Sequence, residues 1–174
     1  MKKSGGNRTD FVELPIVTAD GEFMARYSRD GLCGLDFPGR ERATKRRSNE
    51  DAAPERIRRW HAATSEALAR ALAGQTAQHL PPLDLSGGTL FQQRVWQALR
   101  EIGCGLTWSY GRVADAIGQP KAVRAVGAAC GANPIPVFVP CHRVVAAGHR
   151  LGGFSGGLNW KRALLGREGV ELIS

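Results

Sequence analysis

One stretch limits the fold of this chain more than any other: His79-Leu80-Pro81-Pro82-Leu83-Asp84-Leu85-Ser86-Gly87-Gly88. Paired prolines remove two backbone donors, and paired glycines loosen the chain, so no helix or central strand runs through it. Regular structure must form on either side of this break. We place a domain boundary here, with residues 1–85 before it and 88–174 after it. A length of 174 residues suffices for one good core or for two small domains packed together.

The two sides carry different patterns. Residues 11–17, 22–27 and 32–37 alternate like strands, and the Asp-Gly pairs at 20–21 and 30–31 are hairpin signals between them. Residues 39–51 (GRERATKRRSNED) are charge-dense and read as an exposed loop. Residues 54–78 have helical composition, with Ile57, Trp60, Ala63, Leu68 and Leu72 as a rough apolar stripe. Past the break, Thr89-Leu90-Phe91-Gln92 has the spacing of a capping box, and Val95, Leu99 and Ile102 continue a helical apolar face. Ser109 is placed to cap a short helix over 110–117 that Gly118 ends. An alanine-rich helix over 121–132 stops at Asn133-Pro134, because proline drives the preceding residue out of the helical region. Two short helices joined by a tight turn make a helix-turn-helix candidate. Residues 135–139 read as extended and apolar, and lead into Pro140-Cys141-His142-Arg143. A Gly-rich stretch over 148–157 precedes a last helix over 158–165. The fold class is α+β: a small N-terminal β-sheet and helix domain, then a C-terminal helix-turn-helix, winged-helix-like domain.

Charge narrows the partner. The chain carries 24 Lys and Arg against 16 Asp and Glu, a net +8. Residues 88–174 hold ten Lys and Arg against four Asp and Glu, so +6 of that +8 lies after the break. A basic surface of this kind favours a polyanion, with nucleic acid first. The four cysteines, Cys33, Cys104, Cys130 and Cys141, form no C-x-x-C pair and have no His doublet at zinc spacing. MKKSGGNRTD lacks the apolar stretch of a secretory signal. The longest uncharged run, 125–142, is broken by Pro134, Pro136 and Pro140, which a spanning helix would not tolerate. These features imply a cytoplasmic protein with reduced thiols.

Pro140-Cys141-His142-Arg143 carries the chemistry. A thiol attacks as thiolate, so Cys141 needs a group that takes its proton or lowers its pKa. His142, Arg143 and a helix N-terminus are the candidates. Adjacent residues of an extended chain face opposite sides, so a Cys141–His142 contact requires a turn or a bridging water. That pattern points to a relay in which a carboxylate orients His142. Glu168 is one candidate for it, and Glu101, Asp115 and Glu171 are the other acids of this half.

Residues 133–144 (NPIPVFVPCHRV) resemble the signature of the O6-alkylguanine-DNA alkyltransferases, also called methylated-DNA–protein-cysteine methyltransferases. The likeness continues upstream through Thr107-Trp108-Ser109-Tyr110-Gly111 and Arg124-Ala125-Val126-Gly127. Downstream it takes in Gly152-Gly153-Phe154-Ser155-Gly156-Gly157-Leu158 and Leu164-Leu165-Gly166-Arg167-Glu168-Gly169. It spans residues 89–169, whereas the first half is similar only in outline. The resemblance implies that Cys141 is the alkyl acceptor, and that His142 and Glu168 relay its proton through a water. It makes Asn133 the holder of the turn into the site, and Arg124 the finger that fills the gap left by a flipped nucleotide. Tyr110 would lie under the phosphate and bond the guanine edge, and the carbonyls of Cys141 and Val144 would accept from the exocyclic amine. Ser155 would donate to the damaged oxygen and Phe154 would pack on the guanine face.

The implied substrate is double-stranded DNA carrying O6-alkylguanine, met through the minor groove, with O4-alkylthymine left open as a second. The implied reaction is one transfer per molecule by a monomer, with no cofactor and no metal. Chemistry on a base requires it to leave the stack, which suits an Arg wedge on a helix of small residues and a Gly-rich loop that wraps a purine. Cys130 and Gly131 stand where many members carry a larger or basic residue. Among rival readings, a lesion-binding alkyltransferase-like module would lack the cysteine. A winged-helix regulator would have no need of Asn133, His142 and Glu168 at these spacings. A redox protein or cysteine hydrolase would want a resolving thiol or an oxyanion hole.

Overall fold

The computed structural model describes residues 11–40 and 48–171. Of the charge-dense loop expected over 39–51, residues 41–47 lie outside the described residues. Three strands, β1 (Val12–Thr18), β2 (Gly21–Tyr27) and β3 (Leu32–Asp36), form an antiparallel sheet in that order. The register pairs Leu14 with Ala25 and Ile16 with Phe23. The period-2 alternation thus buries Leu14, Ile16, Phe23, Ala25 and Tyr27 on one face. On the other face Arg26 bridges Glu13 at 2.8 Å and Asp36 at 3.1 Å.

Helix α1 (Glu55–Leu72) covers the apolar face through Ile57, Thr64, Ala67, Leu68, Ala71 and Leu72. Its buried His61 meets the Tyr27 hydroxyl at 3.0 Å. The helix is shorter than the composition of 54–78 suggests. Gly74 takes φ +74° and Gln75 N–H reaches back to the Arg70 carbonyl at 3.0 Å, a glycine-terminated end that competes with further turns. Gly74 is fixed by packing as well, since a Cβ there would lie 1.9 Å from the Arg167 carbonyl oxygen.

The Pro-Pro stretch follows the edge of the sheet. Leu32 N–H donates to Pro82 O and Asp84 N–H to Leu32 O, both at 2.8 Å. Beyond it, α2 (Leu90–Arg100) starts on the expected capping box: Thr89 Oγ1 accepts from Gln92 N at 3.2 Å, and Gln92 Oε1 from Thr89 N at 2.9 Å. After β4 (Trp108–Ser109), Ser109 caps α3 (Tyr110–Ala116) by accepting from Arg112 N at 3.1 Å. Gly118, at φ +71°, turns the chain toward α4 (Val123–Gly131). Helix α2 packs on both, and Trp96 Nε1 donates to Ala129 O at 2.8 Å. Strand β5 (Val144–Val145) pairs in parallel with β4, and α5 (Leu158–Arg167) closes the described chain. None of the helices among the described residues is long and apolar enough to cross a membrane.

The expected extended segment over 135–139 is instead a buried, compact turn. Val139 N–H bonds to Ile135 O at 2.9 Å and Val137 takes φ +78°. The reason is chemical: Pro134, Pro136 and Pro140 have no N–H to give to a sheet, while the Asn133 amide supplies local partners for Ile135 N and Val139 O. The sheet half and the helical half meet around this turn, where Leu35 N–H donates to Pro134 O at 2.9 Å. They meet again where Arg167 grips Asp20 through two bonds of 2.6 and 2.8 Å.

Candidate active site

Cys141 opens a one-turn 3-10 helix, Cys141–Arg143, directly after that turn. Its side chain is buried. Asn133 Nδ2 donates to Sγ at 3.1 Å and to Val139 O at 2.7 Å, while Oδ1 accepts from Ile135 N at 3.0 Å. Three bonds on one buried amide fix its orientation, so Sγ sits against an N–H that favours its thiolate. Burial dominates nonetheless, and pushes the Cys141 thiol up to about 11 against the pull of Asn133 and of the nearby Lys161 ammonium. The resting group is a thiol, and its proton has to leave during attack.

The next residue, His142, is a candidate base. Its ring is 1% exposed, and Nε2 lies 2.9 Å from Glu168 Oε1. Glu168, at the C-terminal end of α5, also accepts from Arg143 Nη2 at 2.9 Å and Nε at 3.0 Å, and from Gly105 N at 3.4 Å. Burial alone would raise the Glu168 carboxyl, but the bonds from His142 and Arg143 outweigh it and hold the group at about 2. An ionised carboxylate only accepts, so Nε2 carries the hydrogen and Nδ1 presents a lone pair. Nδ1 is buried and has no hydrogen-bond partner among the described residues. Burial also keeps the imidazole below its ordinary pKa despite Glu168, so it is neutral and able to act as a base. Arg143 completes the anchoring by donating from Nη1 to Ile102 O at 2.6 Å, just past α2.

A cavity of about 280 Å³ opens above Cys141, between Gly127 and Cys130 of α4 and the loop bearing Gly153, Phe154 and Ser155. This is at the small end of the ~300–1,000 Å³ usual for ligand pockets, a scale suited to one flat ring system. Tyr110, the first residue of α3, forms a side wall, its hydroxyl 3.5 Å from Gly153 O. Phe154 and the His142 ring stand nearly perpendicular, with centroids 6.4 Å apart.

The structure therefore brings together two hydrogen-bonded pairs on adjacent residues, Asn133 with Cys141 and Glu168 with His142, and sets Tyr110, Phe154 and Ser155 around the cavity above Cys141. Arg124 is exposed on α4 and does not line the cavity. Val144 is buried and does not line the cavity either, and its carbonyl accepts from Lys161 Nζ at 2.6 Å. Among the acids left open by the sequence, Glu168 is the one that reaches His142.

Lys161 is not among the site residues expected from the sequence, and Arg143, a candidate for lowering the Cys141 pKa, serves a different partner. Lys161 is fully buried, bonds Val144 O and Gly153 O at 2.6 and 3.1 Å, and is lowered by burial to about 8. Its spacing three and four residues before Leu164 and Leu165, both buried, was the available signal that it lies on the inner face of α5. Arg143 adjoins the thiol in sequence, but its guanidinium forks onto Glu168.

Comparison with known proteins places this geometry. Residues 90–170 match the family described as 6-O-methylguanine DNA methyltransferase, DNA binding domain. The methylated-DNA–protein-cysteine methyltransferase of Mycobacterium tuberculosis is 57% identical over 93 residues, which cover 53% of this chain and 56% of that protein. The protein of that name from Salmonella typhimurium is 49% identical over 109 residues, covering 63% of this chain and 64% of its own length. These alignments thus span less than two thirds of the curated relatives. The solved structure of M. tuberculosis OGT in complex with DNA matches more widely, at 39% identity with a TM-score of 0.75, over 90% of this chain and 91% of that one.

Proposed function

This chain belongs to the O6-methylguanine-DNA methyltransferase family, and we propose that it repairs duplex DNA by moving a methyl or larger alkyl group from guanine O6 to Cys141. The observation that carries the reading is the buried Nδ1 of His142, without a partner among the described residues, in the same turn as a buried thiol and opposite an Nε2 locked by Glu168.

In the proposed step the damaged nucleotide leaves the stack and enters the cavity, where it rests against Phe154. Arg124, exposed on α4, fills the gap in the duplex, and minor-groove contact comes from the small-residue face of that helix. The Cys141 proton passes to His142 Nδ1 through one water. The S–C bond forms as the C–O6 bond breaks in line, and the bonding pair stays on the guanine. Hydroxyls of Ser155 and Tyr110 donate to the ring as that charge develops. The carbonyls of Cys141 and Val144 accept from the exocyclic amine; the Val144 oxygen has a second lone pair beside the one taken by Lys161. A thioether does not hydrolyse, so each molecule acts once. O4-alkylthymine, a second alkylated oxygen on a flat ring, falls within the same chemistry. The protein works on cytoplasmic or nucleoid DNA, with residues 88–174 as the reactive domain and 1–85 as a supporting one.

The rival in which the chain only binds the lesion is disfavoured by the thiol at the cavity floor. Titration separates the two. Increasing protein is mixed with duplex DNA bearing one O6-methylguanine, and the digested DNA is assayed for the lesion. The proposal expects a linear loss ending at one lesion per protein; lesion content unchanged at excess protein would leave binding alone.

A further inference from the structure

The loop that faces the cavity is backed by a residue from the far side of the chain. Phe37 follows β3 on the N-terminal sheet and is 4% exposed. Its ring packs on Phe154 with centroids 5.7 Å apart and planes at 71°, and on Trp160 of α5 at 4.9 Å. Phe23 of β2 closes the cluster, 5.4 Å from both Phe37 and Trp160. The loop backbone is pinched by the same rings: a Cβ on Gly156 would lie 2.5 Å from Phe154 Cε1 and 2.7 Å from Phe37 Cε2. Phe154 thus forms a single aromatic layer between Phe37 and the cavity, and it also packs T-shaped against the His142 ring.

We propose that Phe37 is a positioning residue that sets alkyl-group selectivity, by holding Phe154 forward against the base. The proposal rests on the alkyl-transfer reading above. Phe37 does not line the cavity, so it acts only through Phe154. Protein interiors are close-packed, and deleting a ring leaves a void into which a neighbour relaxes. With Phe37 gone, Phe154 retreats and the cavity widens. A guanine bearing only a methyl then loses its clamp and its alignment with Cys141. A guanine bearing a benzyl group brings its own ring to occupy the added space. The sheet half of the molecule, which contributes no reacting group, thereby governs which alkyl groups are removed.

The test is single-turnover transfer from duplexes carrying O6-methylguanine or O6-benzylguanine, by wild type, Phe37→Ala, Phe37→Leu and Phe23→Leu, with melting temperatures recorded alongside. Misplacing a reacting group by about 1 Å costs on the order of 10²-fold in rate. Phe37→Ala is therefore expected to slow methyl transfer about 10- to 100-fold and benzyl transfer by clearly less. Phe37→Leu, which keeps most of the volume, should restore the wild-type ratio. Phe23→Leu, whose ring reaches Phe37 and Trp160, should lower melting temperature and leave the ratio alone. Equal loss on both substrates, or an equal shift of the ratio in Phe23→Leu, would make Phe37 an ordinary core residue and overturn the proposal. If Phe37→Ala does not fold, the Phe37→Leu ratio is compared with that of Phe37→Val, and an identical ratio overturns the proposal in the same way. A wild-type protein that transfers neither group would instead refute the alkyl-transfer reading.

Discussion

Glu168→Gln keeps the shape of the side chain and removes its charge. The carboxylate accepts from His142 Nε2, from Nη2 and Nε of Arg143, and from Gly105 N. An amide has one accepting oxygen and one donating nitrogen, so either orientation sets a donor against a donor. With the amide nitrogen toward Arg143, the guanidinium loses its counter-charge and half of its fork. With it toward His142, Nε2 must become the acceptor, and the ring hydrogen moves to Nδ1. That tautomer has no lone pair to offer the Cys141 proton. Holding Glu168 at about 2 rather than 4.5 corresponds to about 3 kcal/mol of stability at neutral pH. The cost of breaking a buried pair, ~3–5 kcal/mol, is of the same size. Loss of the correct base should lower the transfer rate by ~10²–10⁴. The assay is rapid-quench single-turnover transfer from an O6-methylguanine duplex at pH 7, with thermal melting on the same samples. A variant that melts well below wild type yet transfers within a factor of a few of its rate would refute the relay, leaving Glu168 a structural role only.

The transfer rate should be flat near neutrality and fall as pH drops through the His142 pKa, which burial places below 6.5. Stability should fall with it: His142 and Glu168 both have folded pKa values below their unfolded ones. Their contributions are complete above 6.5 and 4.5 and are lost on acidification, the Glu168 part as pH approaches 2 and absent in Glu168→Gln. Arg124→Ala should slow transfer from duplex DNA while leaving reaction with free O6-benzylguanine base unchanged; equal slowing of both would remove Arg124 from the role of finger. Gly156→Ala drives a methyl into Phe154 and Phe37 and should cost about 1–3 kcal/mol by chemical denaturation, whereas an unchanged midpoint would mean the loop relaxes freely.

Much of this architecture is legible in local chemistry. Asp-Gly pairs set the hairpins, Thr89 and Gln92 form the capping box, and Ser109 caps α3, because each depends on neighbours a few residues away. Cys141 and His142 stand out from local chemistry, Glu168 is picked from among the acids by the family resemblance, and the fold brings it to the imidazole. What stayed hidden depends on side-chain contacts that the apolar pattern does not reveal, most of them distant in sequence. The turn over 135–139 looks like a strand until the Asn133 amide is seen to satisfy it from within. Helix α1 stops at Leu72 on the Gly74 turn, and the packing that fixes Gly74 comes from the Arg167 backbone, far along the chain. Lys161 reads as a surface cation until Val144 and Gly153 carbonyls close around it. Phe37 is one more apolar residue at the end of a strand until Phe154 lies on it.

Intact-protein mass tests most directly whether Cys141 accepts the alkyl group. The protein is mixed with duplex DNA carrying one O6-methylguanine, weighed, digested and mapped. We expect the mass of one CH₂ to be gained, on the peptide containing Cys141, with none gained on undamaged DNA or by Cys141→Ala. A protein that bound the damaged duplex and gained no mass, or gained it on Cys130, would contradict the account.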